Sequence, residues 1–152
     1  DDQYRETIQL FQEAKLIEGD RVAKINIPAE SQRVLRLLAN MSLPVIEGYF
    51  IVSRTLTKLK GPQPKKVVLK WIQVVGERLW REGEITCKEA VSSVTFNNAV
   101  DWLMDQGIVS RIRQSEGRKS VEYFEPGPRA IEEKDACANI ANRLSRFLIR
   151  ID

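Results

Sequence analysis

Few side chains in this sequence are of the types that usually carry out catalysis, and the composition excludes the commonest kinds of active site. The 152 residues contain no histidine and two cysteines, Cys87 and Cys137. Without histidine no Ser-His or Cys-His nucleophile can form, and two distant thiols cannot close a zinc site. Their helix-like neighbours favour two buried thiols over a disulfide. The sequence therefore predicts no catalytic residue, no metal site and no cofactor in this chain.

The most conspicuous ionisable group is Glu47, which lies in the most apolar run of the sequence, Val34 to Leu59. It is the only charged side chain from Leu37 to Val52. An unpaired buried carboxylate is costly, so Glu47 needs a hydrogen-bonding partner or a wet cleft. The central part of the run is shorter than the roughly 20 residues of a spanning helix, and it contains Pro44, so we expect no transmembrane span here.

Periodicity in the first part of the chain predicts helices around one small hairpin. Apolar residues recur at helical spacing from Tyr4 to Leu16, and Val22 to Ile27 alternates as a strand does. A pair of helices is expected next, Gln32 to Met41 and Pro44 to Leu59. Pro44 would lie near the first turn of the second helix or at a kink, because proline cannot donate the hydrogen bond of a helix interior. The second of them is expected to carry one apolar line: Val45, Tyr49, Val52 and Leu56.

A break at Lys60 to Pro64 separates residues 1–61 from residues 62–152. The first elements expected after it are a helix, Lys65 to Arg81, a very short strand, Glu84 to Thr86, and two helices, Cys87 to Val91 and Thr95 to Gln106. A hairpin follows, with strands Ile108 to Arg113 and Ser120 to Phe124 around a turn at Ser115 to Gly117. The last element expected is an amphipathic helix, Ala130 to Arg150. This is the order of a winged helix. The expected fold class is mainly α with a small β part (α+β): a helix pair, a winged-helix-like unit with a two-stranded wing, and a C-terminal amphipathic helix.

A weak internal repeat adds a hypothesis about residues 1–61. The pattern from Ile8 to Ile17 lines up with the pattern from Val100 to Val109, and in both a helix ends where a hairpin begins. The first copy lacks the two helices that precede it in a winged helix. We therefore interpret residues 1–61 as the end of a preceding winged-helix-like unit followed by the central apolar helices.

Basic side chains fall into two clusters that could contact an anionic surface. The first flanks the proline break and the second lies on the predicted wing: Lys58, Lys60, Lys65 and Lys66, and then Arg113 and Arg118. A lysine near an anionic membrane contributes on the order of 1 kcal/mol of attraction. A solvated loop would carry the same charges, so this contact is one of two interpretations.

Binding of nucleic acid is disfavoured by the predicted recognition helix, Thr95 to Gln106. Carboxylates on its outer face would repel the phosphate backbone that supplies most of the affinity of such modules. The outer residues are two asparagines and two aspartates: Asn97, Asn98, Asp101 and Asp105. A winged-helix DNA-binding module stays an alternative, as does a protein-interaction module that uses the helix Ala130 to Arg150.

Several segments resemble, in order, the C-terminal region of glycerol-3-phosphate acyltransferases, the mitochondrial-type and bacterial membrane-bound enzymes with their dihydroxyacetone-phosphate acyltransferase relatives. Leu43 to Phe50, LPVIEGYF, resembles the family's segment of proline, apolar pair, glutamate, small residue and tyrosine. Further similar segments follow in the same order: Leu79 to Ile85, Glu89 to Ser92, Phe96 to Val100 and Leu103 to Val109. The resemblance covers Leu37 to Val109 and, less closely, the rest.

This resemblance implies a role without catalysis. The family's chemistry uses an H-x-x-x-x-D motif with histidine as general base, and a chain without histidine cannot contain it. What is implied is an accessory C-terminal domain that packs against the catalytic acyltransferase domain of the same polypeptide, or against itself. The parent would transfer an acyl group from acyl-CoA or acyl-ACP to glycerol 3-phosphate in phospholipid and triacylglycerol synthesis.

Location and site residues are implied in the same way. The parent would be associated with a membrane, at the cytosolic face of a bacterial inner membrane or a mitochondrial outer membrane, while this chain by itself would be soluble. Pro44, Glu47 and Tyr49 would form a structural anchor on a buried helix. Glu47 would accept hydrogen bonds from a basic residue or from a backbone end.

Overall fold

Six α-helices and a three-stranded antiparallel sheet form the part of the chain that this computed structural model describes, residues 2–19, 25–116 and 119–148. The elements in chain order are α1 (Asp2–Glu13), α2 (Ala29–Leu56), β1 (Gln63–Pro64), α3 (Lys65–Arg81), α4 (Ser93–Asp105), β2 (Val109–Glu116), β3 (Lys119–Pro126), α5 (Pro128–Glu132) and α6 (Ala136–Ser145). The predicted class, mainly α with a small sheet, is confirmed.

The chain divides into two compact units, residues 1–42 and 43–152. This division falls inside α2, whereas the sequence pattern placed a boundary after residue 61. The segment around the proline break stays with the second unit because β1 pairs there with β3, Gln63 with Phe124 and Pro64 with Tyr123.

In its described residues, the first unit contains α1, an antiparallel bridge and the beginning of α2. Lys15, just after α1, takes a left-handed backbone conformation with a φ of 55°. Glu18 and Asn26 form the bridge, with N–H···O distances of 2.8 Å in both directions. Ser31 Oγ, in the first turn of α2, donates to Lys15 O at 3.0 Å. The strand predicted from Val22 to Ile27 lies partly outside the described residues.

The two helices predicted on either side of Pro44 are one continuous helix, α2, of 28 residues. The expected interruption is absent because proline removes a single backbone hydrogen bond, at a cost of about 3 kcal/mol, while burial of the turns that follow offsets that cost. The deeply buried apolar residues there are at most 7% exposed: Phe50, Ile51, Val52 and Leu56. The predicted apolar line does not include Val45, which is 52% exposed.

The core of the second unit joins the end of α2 to α3, α4 and the hairpin. Apolar residues spaced by three or four positions make one face of each helix apolar, and these faces meet. The largest fully buried apolar side chains come from all these elements and the loops beside them: Ile51, Ile72, Leu79, Ile85, Phe96, Leu103, Ile108 and Phe124.

Between α3 and α4 the chain is less regular than its sequence predicts. No strand forms at Glu84 to Thr86, and the helix expected at Cys87 to Val91 is a single 3₁₀ turn, Lys88–Ala90. The third strand of the sheet is instead β1, which precedes α3.

The predicted hairpin is confirmed and is longer than expected. β2 and β3 pair antiparallel over eight residues each, from Val109 opposite Pro126 to Glu116 opposite Lys119. β3 lies in the middle, so the strand order is β1-β3-β2. The turn predicted at Ser115 to Gly117 lies partly outside the described residues.

The single helix predicted from Ala130 to Arg150 is two shorter helices, α5 and α6. Glu133, with φ −106° and ψ 88°, ends α5. The charged residues around the break are exposed to solvent, while Cys137 and Ala141 on α6 are buried, with exposed fractions of 9% and 6%. One straight helix is therefore replaced by a bend that turns small residues toward the core and leaves Phe147 66% exposed.

Candidate functional site

Glu47 is the one buried acidic residue in the described part of the chain, and its carboxylate accepts three hydrogen bonds. The residue is 1% exposed. Oε1 accepts from Thr86 N at 2.6 Å and from Thr86 Oγ1 at 2.9 Å, and Oε2 accepts from Cys87 N at 2.7 Å. The donors are two backbone N–H groups and one hydroxyl group, with no basic side chain among them.

These bonds connect α2 to the start of the 3₁₀ turn Lys88–Ala90. N–H groups at the start of a helical turn have no partner inside the turn, and a carboxylate is a strong acceptor for them. Cys87 flanks the turn and makes no side-chain capping bond of its own. By accepting from the N-cap N–H of Cys87, Glu47 performs from a distant helix the role that the glutamate of a capping box performs locally.

Gly48 brings α2 close to the segment that Glu47 binds. A Cβ atom built on Gly48 would overlap the γ-methyl group of Thr95 and lie 3.2 Å from Ala90 O. The absence of a side chain therefore lets the helix approach closely enough for the neighbouring glutamate to reach Thr86. The sequence pattern contains this small residue, and the packing supplies the reason for it.

The other two predicted anchor residues lie on the same helix in different surroundings. Tyr49 is half-buried, and its ring centroid lies 5.6 Å from that of Trp102 on α4, with the ring planes at 53°. Such tilted aromatic pairs contribute about 1 kcal/mol beyond their burial. Pro44 is also half-buried, inside α2.

The predicted basic residues differ in their partners. Lys65 Nζ and Arg113 Nη2 both bind the Glu122 carboxylate, at 3.2 and 3.3 Å. Arg118 lies outside the described residues. Three others are exposed and make no ion pair within the described ranges: Lys58, Lys60 and Lys66.

The hydrogen bonds from Lys65 and Arg113 lower the pKa of Glu122 below its ordinary value of 4.5. Because the pKa of Glu122 is lower in the folded state, the interaction stabilises the fold at pH values above the ordinary pKa of 4.5. This stabilisation is lost as the pH falls through the lowered pKa. We expect Glu122→Gln to lower the urea midpoint at neutral pH and to leave it unchanged in strong acid. Urea unfolding of both proteins across this range checks the expectation, and a gap that did not change with pH would contradict it.

Carboxylates also pair with the two arginines of β2, Arg111 and Arg113. Arg111 Nη2 donates to Asp101 Oδ1 on α4 at 2.7 Å, and Arg113 binds Glu122. On the outer face of α4, Asn97 Nδ2 donates to Ser93 O at 2.7 Å. These three side chains thus have partners within the described part of the chain.

Both cysteines are free thiols. Burial raises the pKa of the Cys137 thiol to about 11 and also raises the pKa of the Cys87 thiol. Each is therefore a neutral thiol at pH 7, without the lowered pKa of a reactive cysteine. Across the described ranges, no group of three or more His, Cys, Asp or Glu residues could hold a metal ion.

The N-terminal half of α2 carries exposed apolar side chains on one face, which we call the α2 stripe. Spacings of three and four residues place its members together. They are between 39% and 68% exposed: Val34, Leu37, Leu38 and Met41. By length and composition α2 could cross a membrane, with a hydropathy of 1.3 over an 18-residue window that is 22% buried. No such helix was predicted from the sequence, because the central apolar run is short and contains Pro44 and Glu47.

Comparison with known families identifies the relatives of this chain. The family model of the glycerol-3-phosphate acyltransferase C-terminal region matches residues 1–112. The chain belongs to this family. The resemblance found over Leu37 to Val109 is thereby confirmed and extended to the first residue. No curated protein matches the chain.

The match to the glycerol-3-phosphate acyltransferase C-terminal region includes the whole carboxylate site and the α2 stripe. Glu47, Gly48, Thr86 and Cys87 all lie within residues 1–112. Strand β3 and the last two helices lie beyond it. The carboxylate site is thus part of the family region, whereas the C-terminal helices are outside the matched segment.

Proposed function

We propose that this chain is a non-catalytic accessory domain of a glycerol-3-phosphate acyltransferase, and that it packs on the catalytic domain of the same polypeptide and stabilises it. The observation that carries the proposal is the exposed α2 stripe on a helix of the family's C-terminal region. The parent would transfer an acyl group from acyl-CoA or acyl-ACP to glycerol 3-phosphate. The chemistry would lie in the catalytic domain, since this chain has no histidine.

A stripe of this kind gains free energy when protein covers it. Contiguous exposed apolar side chains usually mark contact surfaces. Complete burial of four such half-exposed side chains would contribute about 3 to 6 kcal/mol, before the cost of association is subtracted. That contribution is large enough to hold a domain contact within one polypeptide, where the partner is always present at high effective concentration.

Glu47 supports the structural side of this proposal. Both of its carboxylate oxygens are occupied by donors of the 86–87 segment, and the residue is 1% exposed. A carboxylate without a free oxygen or solvent access is poorly placed to bind a substrate. We therefore give Glu47, together with Pro44 and Tyr49, the role of a structural anchor.

The proposal also places the parent at a membrane, with α2 packed against protein. The second half of α2 is built into the core of residues 43–152 and carries the buried carboxylate, which a lipid environment would not satisfy. Exposed lysines after α2, such as Lys58 and Lys66, would add attraction to an anionic cytosolic surface.

Charge substitutions in the full-length parent enzyme test the α2 stripe. Leu37→Glu and Met41→Glu are expected to lower acyltransferase activity about tenfold and the thermal midpoint by roughly 5 °C, because each would bury an unpaired carboxylate at the contact. The same substitutions in residues 1–152 alone should leave the urea midpoint unchanged, since these side chains are 60% and 68% exposed.

Leu10→Glu is the matched control. Leu10 lies on α1 of the same compact unit and is 61% exposed. The substitution therefore adds the same charge at a leucine whose exposure is close to that of Leu37. The parent carrying Leu10→Glu should keep its activity and its thermal midpoint. Full activity and stability in both stripe variants, or an equal loss in the control, would contradict the proposal.

A further inference from the structure

A pocket of about 340 Å³ lies beside the end of α2, the start of β2 and the last two helices. Its volume is within the range of small-ligand sites. Its floor is apolar and at most 9% exposed: Leu56, Leu59, Ile108, Val109 and Cys137. Because burial raises the pKa of Cys137 to about 11, the thiol on this floor is uncharged at neutral pH.

Two lysines, Lys60 and Lys134, line the same pocket. Both are exposed, and neither makes a hydrogen bond or an ion pair in the described part of the chain. No acidic residue is among the described residues that line the pocket. The pocket therefore combines an apolar floor with two cations that make no ion pair in the described part of the chain.

We propose that this pocket binds a single alkyl chain that ends in an anionic head group, taken up as a monomer from water. The alkyl chain would lie on the apolar floor, and the head group would bind Lys60 and Lys134. A neutral apolar ligand would leave both ammonium groups without a partner, and a small polar anion would leave the apolar floor in contact with water. An anionic amphiphile satisfies both parts.

This site is independent of the contact proposed for the α2 stripe. The side of the pocket formed by Ile131, Lys134 and Cys137 lies beyond residues 1–112, outside the segment that matches the family. The floor lies in the second compact unit and the stripe in the first. Binding can therefore be tested on residues 1–152 alone, and its result does not depend on the catalytic domain.

A series of chain lengths tests the apolar part of the site. Calorimetric titrations with octanoate, decanoate and dodecanoate, each below its micelle concentration, should show affinity rising about fourfold for every added methylene until the pocket is full. Dodecanol, which has the same chain without the charge, should bind about tenfold more weakly than dodecanoate. Equal affinities for the acid and the alcohol, or affinities that do not change with chain length, would overturn the proposal.

Paired lysine variants test the head-group contact. Lys60→Gln combined with Lys134→Gln should weaken dodecanoate binding about tenfold and leave dodecanol binding unchanged. The matched control is Lys66→Gln combined with Lys70→Gln, which removes the same charge from two exposed lysines of α3 that do not line the pocket. An equal loss in the control pair would show attraction by net charge alone and would overturn the site.

Cys137 reports whether the ligand occupies this pocket. In a Cys87→Ser background, saturating dodecanoate should slow the reaction of Cys137 with a thiol reagent about tenfold, and unchanged reactivity would contradict occupancy. Phosphatidylglycerol vesicles provide the other arm of the test. If the vesicles bind through Lys60 and Lys134 while monomeric dodecanoate does not bind, the lysines belong to a membrane surface and the pocket proposal fails.

Discussion

Replacing Glu47 by alanine is expected to lower the free energy of unfolding by about 4 kcal/mol. The substitution removes the acceptor for the Thr86 and Cys87 N–H groups and for the Thr86 hydroxyl, in a place where Glu47 is 1% exposed. A donor left unpaired costs about 1 to 3 kcal/mol where it stays buried, while hydration of the exposed Thr86 and release of the desolvated carboxylate return part of the total. Urea unfolding of residues 1–152 measures the loss.

Two further variants separate hydrogen bonding from other effects. Glu47→Gln keeps the volume and one acceptor but places its NH₂ group against a backbone N–H, so about half of the loss is expected. Glu89→Ala removes an exposed glutamate from the same 3₁₀ turn and should change stability by less than about 0.5 kcal/mol. If Glu47→Gln were as stable as the unmodified chain, the proposed anchoring role would fail.

A local readout distinguishes release of the 86–90 segment from general destabilisation. Cys87 is half-buried at the point where Glu47 binds the backbone. In Glu47→Ala, under conditions where the chain is still folded, Cys87 should react faster with a thiol reagent while Cys137 stays protected. Equal acceleration at both cysteines would indicate global opening instead of a lost anchor.

Gly48→Ala is expected to lower the free energy of unfolding by about 2 kcal/mol. In most helix interiors this substitution is stabilising by about 0.5 to 1 kcal/mol, so the predicted sign is the opposite of the usual one. The added Cβ would overlap the γ-methyl group of Thr95 and lie 3.2 Å from Ala90 O, and the backbone oxygen cannot rotate away. Thermal and urea unfolding of residues 1–152 both measure this loss.

A second substitution should restore much of the stability lost in Gly48→Ala. Thr95→Ser removes the overlapping methyl group and keeps the hydroxyl, so the double variant should recover about half of the loss, with a coupling of roughly 1 kcal/mol. Thr95→Ser alone should cost less than that. Strict additivity of the two changes would show that the close approach of Gly48 to Thr95 does not limit the packing.

Local sequence patterns were sufficient to predict most of the regular helices and strands. They were insufficient where contacts with residues distant along the chain determine the local structure. The hairpin and α3 follow from alternation and from apolar spacing, which act over a few residues. The continuity of α2 through Pro44 does not follow, because the lost hydrogen bond is offset by burial in a core that local periodicity does not contain. The strand expected at Glu84 to Thr86 is also absent, since Glu84 N and Ile85 N donate to Leu79 O and Thr86 N donates to a carboxylate 39 residues earlier.

The candidate site shows the same division. The sequence singled out Glu47 because a charge in an apolar run requires a partner, and it placed Glu47 among residues that resemble the family. It did not identify Thr86 and Cys87 as the donors, nor the pocket that Lys60 shares with Lys134. Neither contact could be predicted from the spacing of residues in the sequence, because the partners come from separate elements.

The sequence by itself determined the helical class with a small sheet, the family, and the exclusion of histidine chemistry, since these depend on composition, on local periodicity and on ordered short motifs. The tertiary structure alone decided which groups satisfy Glu47, why a glycine follows it, and which basic side chains make no ion pair among the described residues. The physical reason is that the hydrogen-bonding needs of a buried carboxylate and the close approach of two backbones are met by residues that are distant along the chain and adjacent only after folding.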